Sequence, residues 1–262
     1  MNLINQIKTI FYSNKIYHIE AADLKRSGGL DFKLAGANNA EIQNAELILP
    51  QLQYYVGVNP IMHLPTNMLV MPGGHAFSNP NHPFLKTLKE GHHSLFQFYS
   101  KLAPNNIAQL YGLEEKGELG ESLEPWEIPW LLRKRQKPRG EAGLTSEHGL
   151  SYYGPISEQK ALLEYKRLTK VVKSISKQGY QMHKGTIEGF FMRSGNDFRF
   201  FVLGGKHRVA AMVHLGYQTV PVRMRPSYPR VIDRSDAYNW PLVRSGEISV
   251  LLAQHIFDAY FN

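Results

Sequence analysis

A short basic segment at residues 204–208, Gly-Gly-Lys-His-Arg, has the residue types and spacing of a phosphate site. It follows an apolar run and precedes an alanine-rich one, which predicts that a strand passes into a helix here. The N–H groups of a helix's first turn and the positive end of its dipole attract anions. The segment therefore predicts a phosphate-binding turn, with a tight turn that merely carries basic side chains as the alternative.

Each residue of this segment has an expected role. Gly204 and Gly205 permit backbone conformations and a close approach to a ligand that a Cβ would forbid. Lys206 supplies a point charge, and Arg208 offers a planar fork that suits phosphate oxygens. Because His207 can donate a hydrogen bond or transfer a proton, it is a candidate for catalysis as well as for binding.

Phosphoryl transfer also needs a proton acceptor and usually Mg²⁺, and three carboxylates are candidates: Glu158, Glu164 and Glu188. Glu164 lies four residues after Lys160 and three before Arg167. On a surface helix that spacing makes a salt-bridge ladder, which we favour over a catalytic role. Glu188 lies beside a predicted strand, and for it the catalytic and the structural interpretation are equally supported.

Metal and thiol chemistry find little support elsewhere. Cysteine is absent, which excludes disulfides, thiolate catalysis and cysteine-based zinc sites. The candidate histidines match no compact zinc pattern, and we expect them in loops without a metal. They are His75, His82, His92, His93 and His148. The protein's metal ligands are left unassigned.

The positive charge of the chain is confined to its last part. Residues 1–150 carry 14 Lys/Arg against 14 Asp/Glu, whereas residues 151–262 carry 16 against 8, which accounts for the net charge of +8. Segregated positive charge favours an anionic partner: a nucleotide, a phosphorylated substrate, nucleic acid or a membrane surface. The alternative is a solvated basic surface.

No apolar run approaches the roughly 20 residues of a membrane span and no signal peptide is evident, so we expect a cytoplasmic protein.

The elements around the basic segment follow from capping and periodicity. We predict a helix from a Ser157 cap to Gly179, a hairpin around residues 194–197, a helix closed by Gly216, and a strand at 219–225. A basic loop and a final amphipathic helix follow, and we expect that helix to pack in the core. This order predicts an α/β (α+β) domain at residues 151–262 with a small mixed sheet.

We expect residues 1–150 to form a mostly helical N-terminal region, with short strands and loops at 56–75. Helices are predicted at about 83–90 and 94–101, and a third begins after Asn105 or Asn106. Residues 114–150 are predicted to be a long exposed loop that Trp126 and Trp130 anchor.

The stretch "GGKHRVAAMVHLGYQTVPVRM" resembles the signature of the ParB N-terminal/sulfiredoxin-like superfamily, in which a G-x-x-R-x-x-A-A turn follows a strand and leads towards "vPV". Upstream, "LTKVVKSISKQGY" at 168–180 is similar to that family's "L..SI...G" helix. The resemblance covers roughly residues 154–226. It implies a nucleotide phosphate held by residues 204–208, with Glu188 where the family tends to line its cleft.

The family includes CTP-binding DNA-partition proteins, ATP-dependent sulfiredoxins and free-serine kinases. Lys206 stands where sulfiredoxins have a cysteine, which rules out sulfinic acid reduction. Partition proteins have an acidic residue and two arginines in this turn, followed by a helix-turn-helix domain. This chain ends about 35 residues past the last matching strand, so no such domain is expected. The turn is closer to the sulfiredoxin and serine-kinase branch.

These observations lead to one functional prediction and one alternative. The leading hypothesis is a phosphotransferase that uses ATP or another NTP, with Mg²⁺, on a small molecule or a glycan intermediate. The alternative is a non-catalytic module in which a nucleotide controls binding to DNA or to a protein. Nucleic acid is not the favoured partner.

Overall fold

A computed structural model describes residues 61–113, 123–131, 143–149, 152–225 and 228–262. The predictions for residues 1–60, and those for most of the loop at 114–150, lie outside the described residues.

Seven strands form one mixed sheet in the described part of the chain. They are β1 (Met62–Pro65), β2 (Leu69–Met71), β3 (His75–Ala76), β4 (Glu188–Ser194), β5 (Asp197–Gly204), β6 (Thr219–Met224) and β7 (Val231–Asp233). The strand order is β1-β6-β4-β5-β2-β3, and β7 pairs with β4. The pairs β1–β6, β4–β5 and β2–β3 are antiparallel, whereas β4–β6, β4–β7 and β2–β5 are parallel. The predicted mixed α/β architecture is confirmed.

Side-chain caps define the start of several helices. The described residues contain α1 (Pro83–Glu90), α2 (His92–Ser100), α3 (Ile107–Leu110), α4 (Glu158–Gln178), α5 (Lys206–His214), α6 (Pro241–Arg244) and α7 (Val250–Asp258). The side chains of Asn106, Ser157 and Ser249 cap α3, α4 and α7 by accepting backbone N–H groups. The predicted helices at 83–90 and 157–179, the cap at Asn106 and the hairpin around 194–197 are confirmed.

The central strands of the sheet have apolar residues on both faces, and each face is covered by a separate hydrophobic cluster. Alternate residues of a strand point to opposite faces. Phe191 and Phe200 pack in a cluster with Leu168 and Val209. Their neighbours, such as Phe201, pack in a second cluster with Trp130, Trp240 and Phe257. Trp130 is fully buried, which confirms its predicted anchoring role, and Trp126 is half-buried.

Several sequence-based expectations differ from the structure. β1 and β2 lie within residues 56–75, where short strands were expected, but they pair with β6 and β5, so the sheet includes strands from both sides of position 150/151. The helix expected from Ser94 begins at His92, and the loop expected after β6 contains β7. The final helix packs in the core as expected, through residues such as Leu252 and Ile256, whereas Leu251 is exposed. No helix of the described segments is long and apolar enough to span a membrane.

Candidate functional site

The basic segment forms the predicted turn between β5 and α5. Gly204 ends the strand, and Gly205 takes a left-handed conformation (φ 85°) as the N-cap of the helix. A Cβ on Gly205 would lie 3.0 Å from Ile187 Cγ1, whereas one on Gly204 would meet only Arg225 Nη1, at 3.4 Å. Gly205 is therefore required by conformation and packing, and Gly204 leaves open space above the turn.

Buried apolar side chains in the first two turns of α5 hold this helix against the core. Val209, Ala210 and Ala211 are fully buried against the core on the side of α4. This packing fixes the direction of the helix, so that its N-terminus and the side chains of residues 206–208 lie at the end of β5. The dipole and the first N–H groups of α5 therefore favour an anion at this position.

Lys206 is held against the turn. Its Nζ donates a hydrogen bond to the Leu203 carbonyl oxygen at 2.7 Å and lies 4.6 Å from the centroid of the Tyr152 ring. Burial, with a smaller contribution from the charge of Glu164, raises the pKa of Tyr152. The ammonium group therefore sits over the face of a neutral phenol, in a cation–π arrangement that keeps its charge beside the helix N-terminus.

His207 is held by a carboxylate and an aromatic ring. Its Nε2 lies 2.6 Å from Glu164 Oε2, and its ring stacks on Phe84 with 5.0 Å between centroids and 10° between planes. An ionised carboxylate only accepts hydrogen bonds, so Nε2 carries the proton of this bond. In the neutral imidazole that assignment makes Nδ1 an acceptor, and the pair has the arrangement of an oriented general base.

Glu164 is not on the surface, and the expected exposed salt-bridge ladder is wrong in that respect. Its side chain is 2% exposed, with Lys160 Nζ and Arg167 Nη1 each 3.2 Å from Oε1. Burial lowers the pKa of Lys160, and the charge of Glu164 opposes that shift. The ladder exists at the predicted spacing, but α4 turns it towards α5, where the other carboxylate oxygen contacts His207.

Arg208 points to the opposite side of the turn. Its Nη2 donates to the Lys184 carbonyl oxygen at 2.9 Å, and its guanidinium fills the space that a side chain at Gly185 would occupy. The Tyr180 hydroxyl donates to the Gly185 carbonyl oxygen at 3.0 Å, which fixes the same loop. Burial raises the pKa of Tyr180, and the charge of Arg208 opposes that effect.

Arg208 also lines a cavity of about 170 Å³ between α4 and this loop. Its walls are Lys170, Val171, Ser174, Ile175, Gly179, Tyr180, Gln181, Lys184 and Arg208. Three of these residues are cationic and none is acidic. The cavity therefore favours an anionic ligand, with apolar surface from α4 on one side.

Glu188 lies directly across the β4/β5 pair from Gly204. Its Oε1 accepts a hydrogen bond from Thr186 Oγ1 at 2.7 Å, and its Oε2 lies 3.0 Å from Arg225 Nη1. The side chain is 23% exposed. Unlike Glu164, this carboxylate borders the open space above Gly204 and is within reach of solvent.

The remaining candidates lie away from the turn or act in packing. Glu158 is exposed at the start of α4, and Asp197, the last residue of the predicted hairpin turn, begins β5. The described residues contain no group of three or more histidine or acidic side chains that could hold a metal.

Four of the five histidines expected in loops belong to regular structure. His92 and His93 begin α2, His75 lies in β3, and His148 ends a short 3₁₀ turn. His82, just before α1, accepts the Phe84 N–H through Nδ1 and caps that helix.

Sequence reasoning did not identify several residues of the site. Phe84 and Tyr152 pack against the basic segment from distant parts of the chain, and no local pattern marks them. Lys184 and Arg225 belong to the basic C-terminal part, whose charge excess is the signal that could have pointed to them.

Compared with known protein families, curated proteins and solved structures, the chain matches none of them.

Proposed function

We propose that the protein binds the phosphates of ATP or another NTP at the N-terminus of α5 and transfers a phosphoryl group to a small molecule or a glycan intermediate. One observation carries this proposal: Arg208 belongs both to the first turn of α5 and to the wall of the basic cavity. Arg208 thereby links the N-terminus of α5 to the cations of the cavity, which supports an anion that extends from one to the other.

The size and lining of the cavity suit part of a nucleotide. Its volume of about 170 Å³ is about six times the volume that a water molecule occupies in the liquid. Lys170, Lys184 and Arg208 would neutralise phosphate oxygens, and the side chains of Val171 and Ile175 offer apolar contact to a nucleoside. The phosphate chain would then run along Arg208 to the turn.

His207 and Glu164 supply the acid–base chemistry of the proposal. Nδ1 of His207 would take the proton of the acceptor's hydroxyl group as its oxygen forms a bond to the terminal phosphorus. The bond from that phosphorus to the bridging oxygen breaks, and a nucleoside diphosphate leaves with its electron pair. Glu164 is a positioning residue, because its contact with Nε2 orients the ring and stabilises the imidazolium that forms.

The residues around the turn offer one carboxylate, that of Glu188, as a ligand for a Mg²⁺ ion. Mg²⁺ in nucleotide sites is commonly bound by one or two carboxylates together with phosphate oxygens and water. Glu188 borders the turn, is partly exposed and would provide one such oxygen. When bound, the ion would neutralise charge on the transferring phosphoryl group.

Calorimetric titration tests the binding step. Wild-type protein is titrated with ATP, CTP, GTP and UTP, with and without Mg²⁺, and compared with Arg208→Ala. The control is Arg244→Ala, which removes an exposed arginine on α6. We expect binding of at least one nucleotide, a loss of tenfold or more in Arg208→Ala, and no change in the control. Absence of binding by the wild type, or equal affinity in Arg208→Ala, would contradict the proposal.

Turnover separates a phosphotransferase from a nucleotide-gated module. Nucleotide that binds tightly is incubated with pools of hydroxylated small molecules and glycan precursors, and the release of nucleoside diphosphate is followed by ³¹P NMR. Release that depends on one acceptor supports phosphoryl transfer. Tight binding without acceptor-dependent release would favour the non-catalytic alternative.

A further inference from the structure

One face of α4 carries a row of exposed lysines. Lys166, Lys170, Lys173 and Lys177 follow one another at spacings of four, three and four residues, and all four are exposed. At about 100° of rotation per residue, they fall within an arc of about 60°. The buried residues of the helix, including Leu168 and Ile175, lie on the opposite side. We call these four residues the lysine face.

The lysine face is not neutralised within the described part of the chain. None of its four ammonium groups forms an ion pair or a hydrogen bond with another described residue. The helix has two acidic residues, and both lie elsewhere: Glu158 is at its N-terminus, and Glu164 is buried against Lys160 and His207. Like charges at these spacings repel one another, so the row destabilises the isolated helix unless an anion lies along it.

The lysine face is continuous with the cavity. Lys170 belongs to the row and also lines the cavity, where Lys184 and Arg208 follow. A band of positive charge therefore runs along α4 and ends at the site that we propose binds nucleotide phosphates. Lysine side chains at neighbouring positions of such a row have Cβ atoms roughly 5–6 Å apart, a regular spacing that suits a polymer with one anion per repeating unit.

We propose that the lysine face binds the phosphodiester backbone of a nucleic acid. Two observations support this choice. The row is positively charged, as a binding surface for phosphodiesters must be, and it leads to the cavity that we propose binds nucleotide phosphates. A bilayer fits less well, because the exposed large hydrophobic side chains of the described residues, Tyr217, Tyr238 and Leu251, do not lie on α4. A helix that binds a membrane surface inserts apolar side chains, and the apolar side of α4 is committed to the core.

Salt-dependent binding of labelled DNA tests the proposal. Fluorescence anisotropy is measured with a 20-base-pair duplex of mixed sequence at salt concentrations from 50 to 300 mM. The variant Lys166→Gln/Lys173→Gln/Lys177→Gln retains Lys170 and so leaves the cavity intact. Its control, Lys89→Gln/Lys101→Gln/Arg244→Gln, removes three exposed cations on α1, after α2 and on α6.

We expect the wild type and the control to bind alike, whereas the lysine-face variant loses at least tenfold in affinity at 100 mM salt. The slope of log K against log[salt] should become shallower by about 0.9 for each phosphate contact removed, or about three units in all. Nucleotide titration of the same variant should be unchanged, so the outcome is independent of the proposed phosphotransferase activity.

Three results would overturn the proposal. The wild type does not bind the duplex at 50 mM salt, or the control variant loses as much affinity as the lysine-face variant. The third is binding to phosphatidylserine vesicles or to polyglutamate that equals binding to DNA and that depends on the same three lysines, which would assign the face to a membrane surface or to an acidic polypeptide.

Discussion

Oε2 of Glu164 lies 2.6 Å from Nε2 of His207, and this contact joins α4 to α5 across 43 positions of the sequence. Glu164 is almost fully buried and also contacts Lys160, whose ammonium group is buried with it. The pair therefore connects the stability of the fold to the orientation of a candidate proton acceptor. A carboxylate in this position is costly to bury, and its two cationic neighbours, Lys160 and Arg167, offset that cost.

Replacing Glu164 should reveal this balance. In Glu164→Gln the charge of buried Lys160 loses its partner, and we expect the free energy of unfolding to fall by about 3 kcal/mol. The double variant Lys160→Met/Glu164→Gln removes both buried charges and should recover at least half of that loss. Urea denaturation of the wild type, both single variants and the double variant measures the coupling. Additive losses would show that the two charges do not interact in the folded state.

The two glycines of the turn should respond differently to alanine. Gly205→Ala places a Cβ at positive φ and against Ile187, and we expect a loss of about 1–2 kcal/mol in unfolding free energy. Gly204→Ala meets only the end of the Arg225 side chain, so its stability should change by less than about 0.5 kcal/mol. If a phosphate approaches the turn closely, the added methyl group of Gly204→Ala should weaken nucleotide binding at least tenfold. Unchanged nucleotide affinity in Gly204→Ala would place the phosphates elsewhere.

Local signals predicted the turn well, because their causes are local. The Ser157 cap, the two-residue hairpin connection and the change from apolar strand to alanine-rich helix at Gly205 each depend on neighbouring residues, and the structure reproduces them. The burial of Glu164 could not be predicted in this way. Its spacing to Lys160 and Arg167 is the same on a surface helix and on a buried one, and the choice is made by the packing of α4 against α5.

Short strands were expected at 56–75, but the pairing of β1 and β2 with strands of the C-terminal part could not be predicted, for a related reason. β1 and β2 have four and three residues, too few for an alternating pattern to define which face is buried or which strand is the partner. Their partners lie more than 120 positions away, in β6 and β5. The length of an element and the sequence separation of its partner, rather than its chemistry, limited the prediction.

Stability should fall in mild acid because of two histidines, of which His82 is buried and His75 is partly buried. Burial lowers the pKa of His75 from 6.5 to about 4, and it lowers that of His82 in the same direction. Between pH 4 and pH 6.5 the His75 side chain is protonated in the unfolded chain but neutral in the folded protein, so stability rises with pH over this range. The contribution of His75 is complete above pH 6.5 and is lost as pH falls towards 4, a difference of about 3 kcal/mol.

Urea denaturation at half-unit intervals from pH 7.5 to 4.5 measures this dependence. The slope of unfolding free energy against pH should decrease in His75→Gln by up to about 1.4 kcal/mol for each pH unit, which corresponds to one proton. His93→Gln removes an exposed histidine and serves as the control, with the wild-type slope expected. A wild-type slope in His75→Gln would mean that other groups are responsible for the acid sensitivity.

The C-terminal part of the chain should not fold as a separate unit, although it contains the turn, the cavity and the lysine face. β1 pairs with β6 and β2 with β5, and Leu64 and Leu69 of these strands are buried in the core. A fragment of residues 151–262 would expose the unpaired backbone of β5 and β6 together with the apolar surface that these leucines cover. We expect circular dichroism to show a cooperative thermal transition for the full chain and a broad, non-cooperative change for the fragment. A sharp transition of the fragment at the temperature of the full chain would show instead that β1 and β2 are accessory to an independent domain.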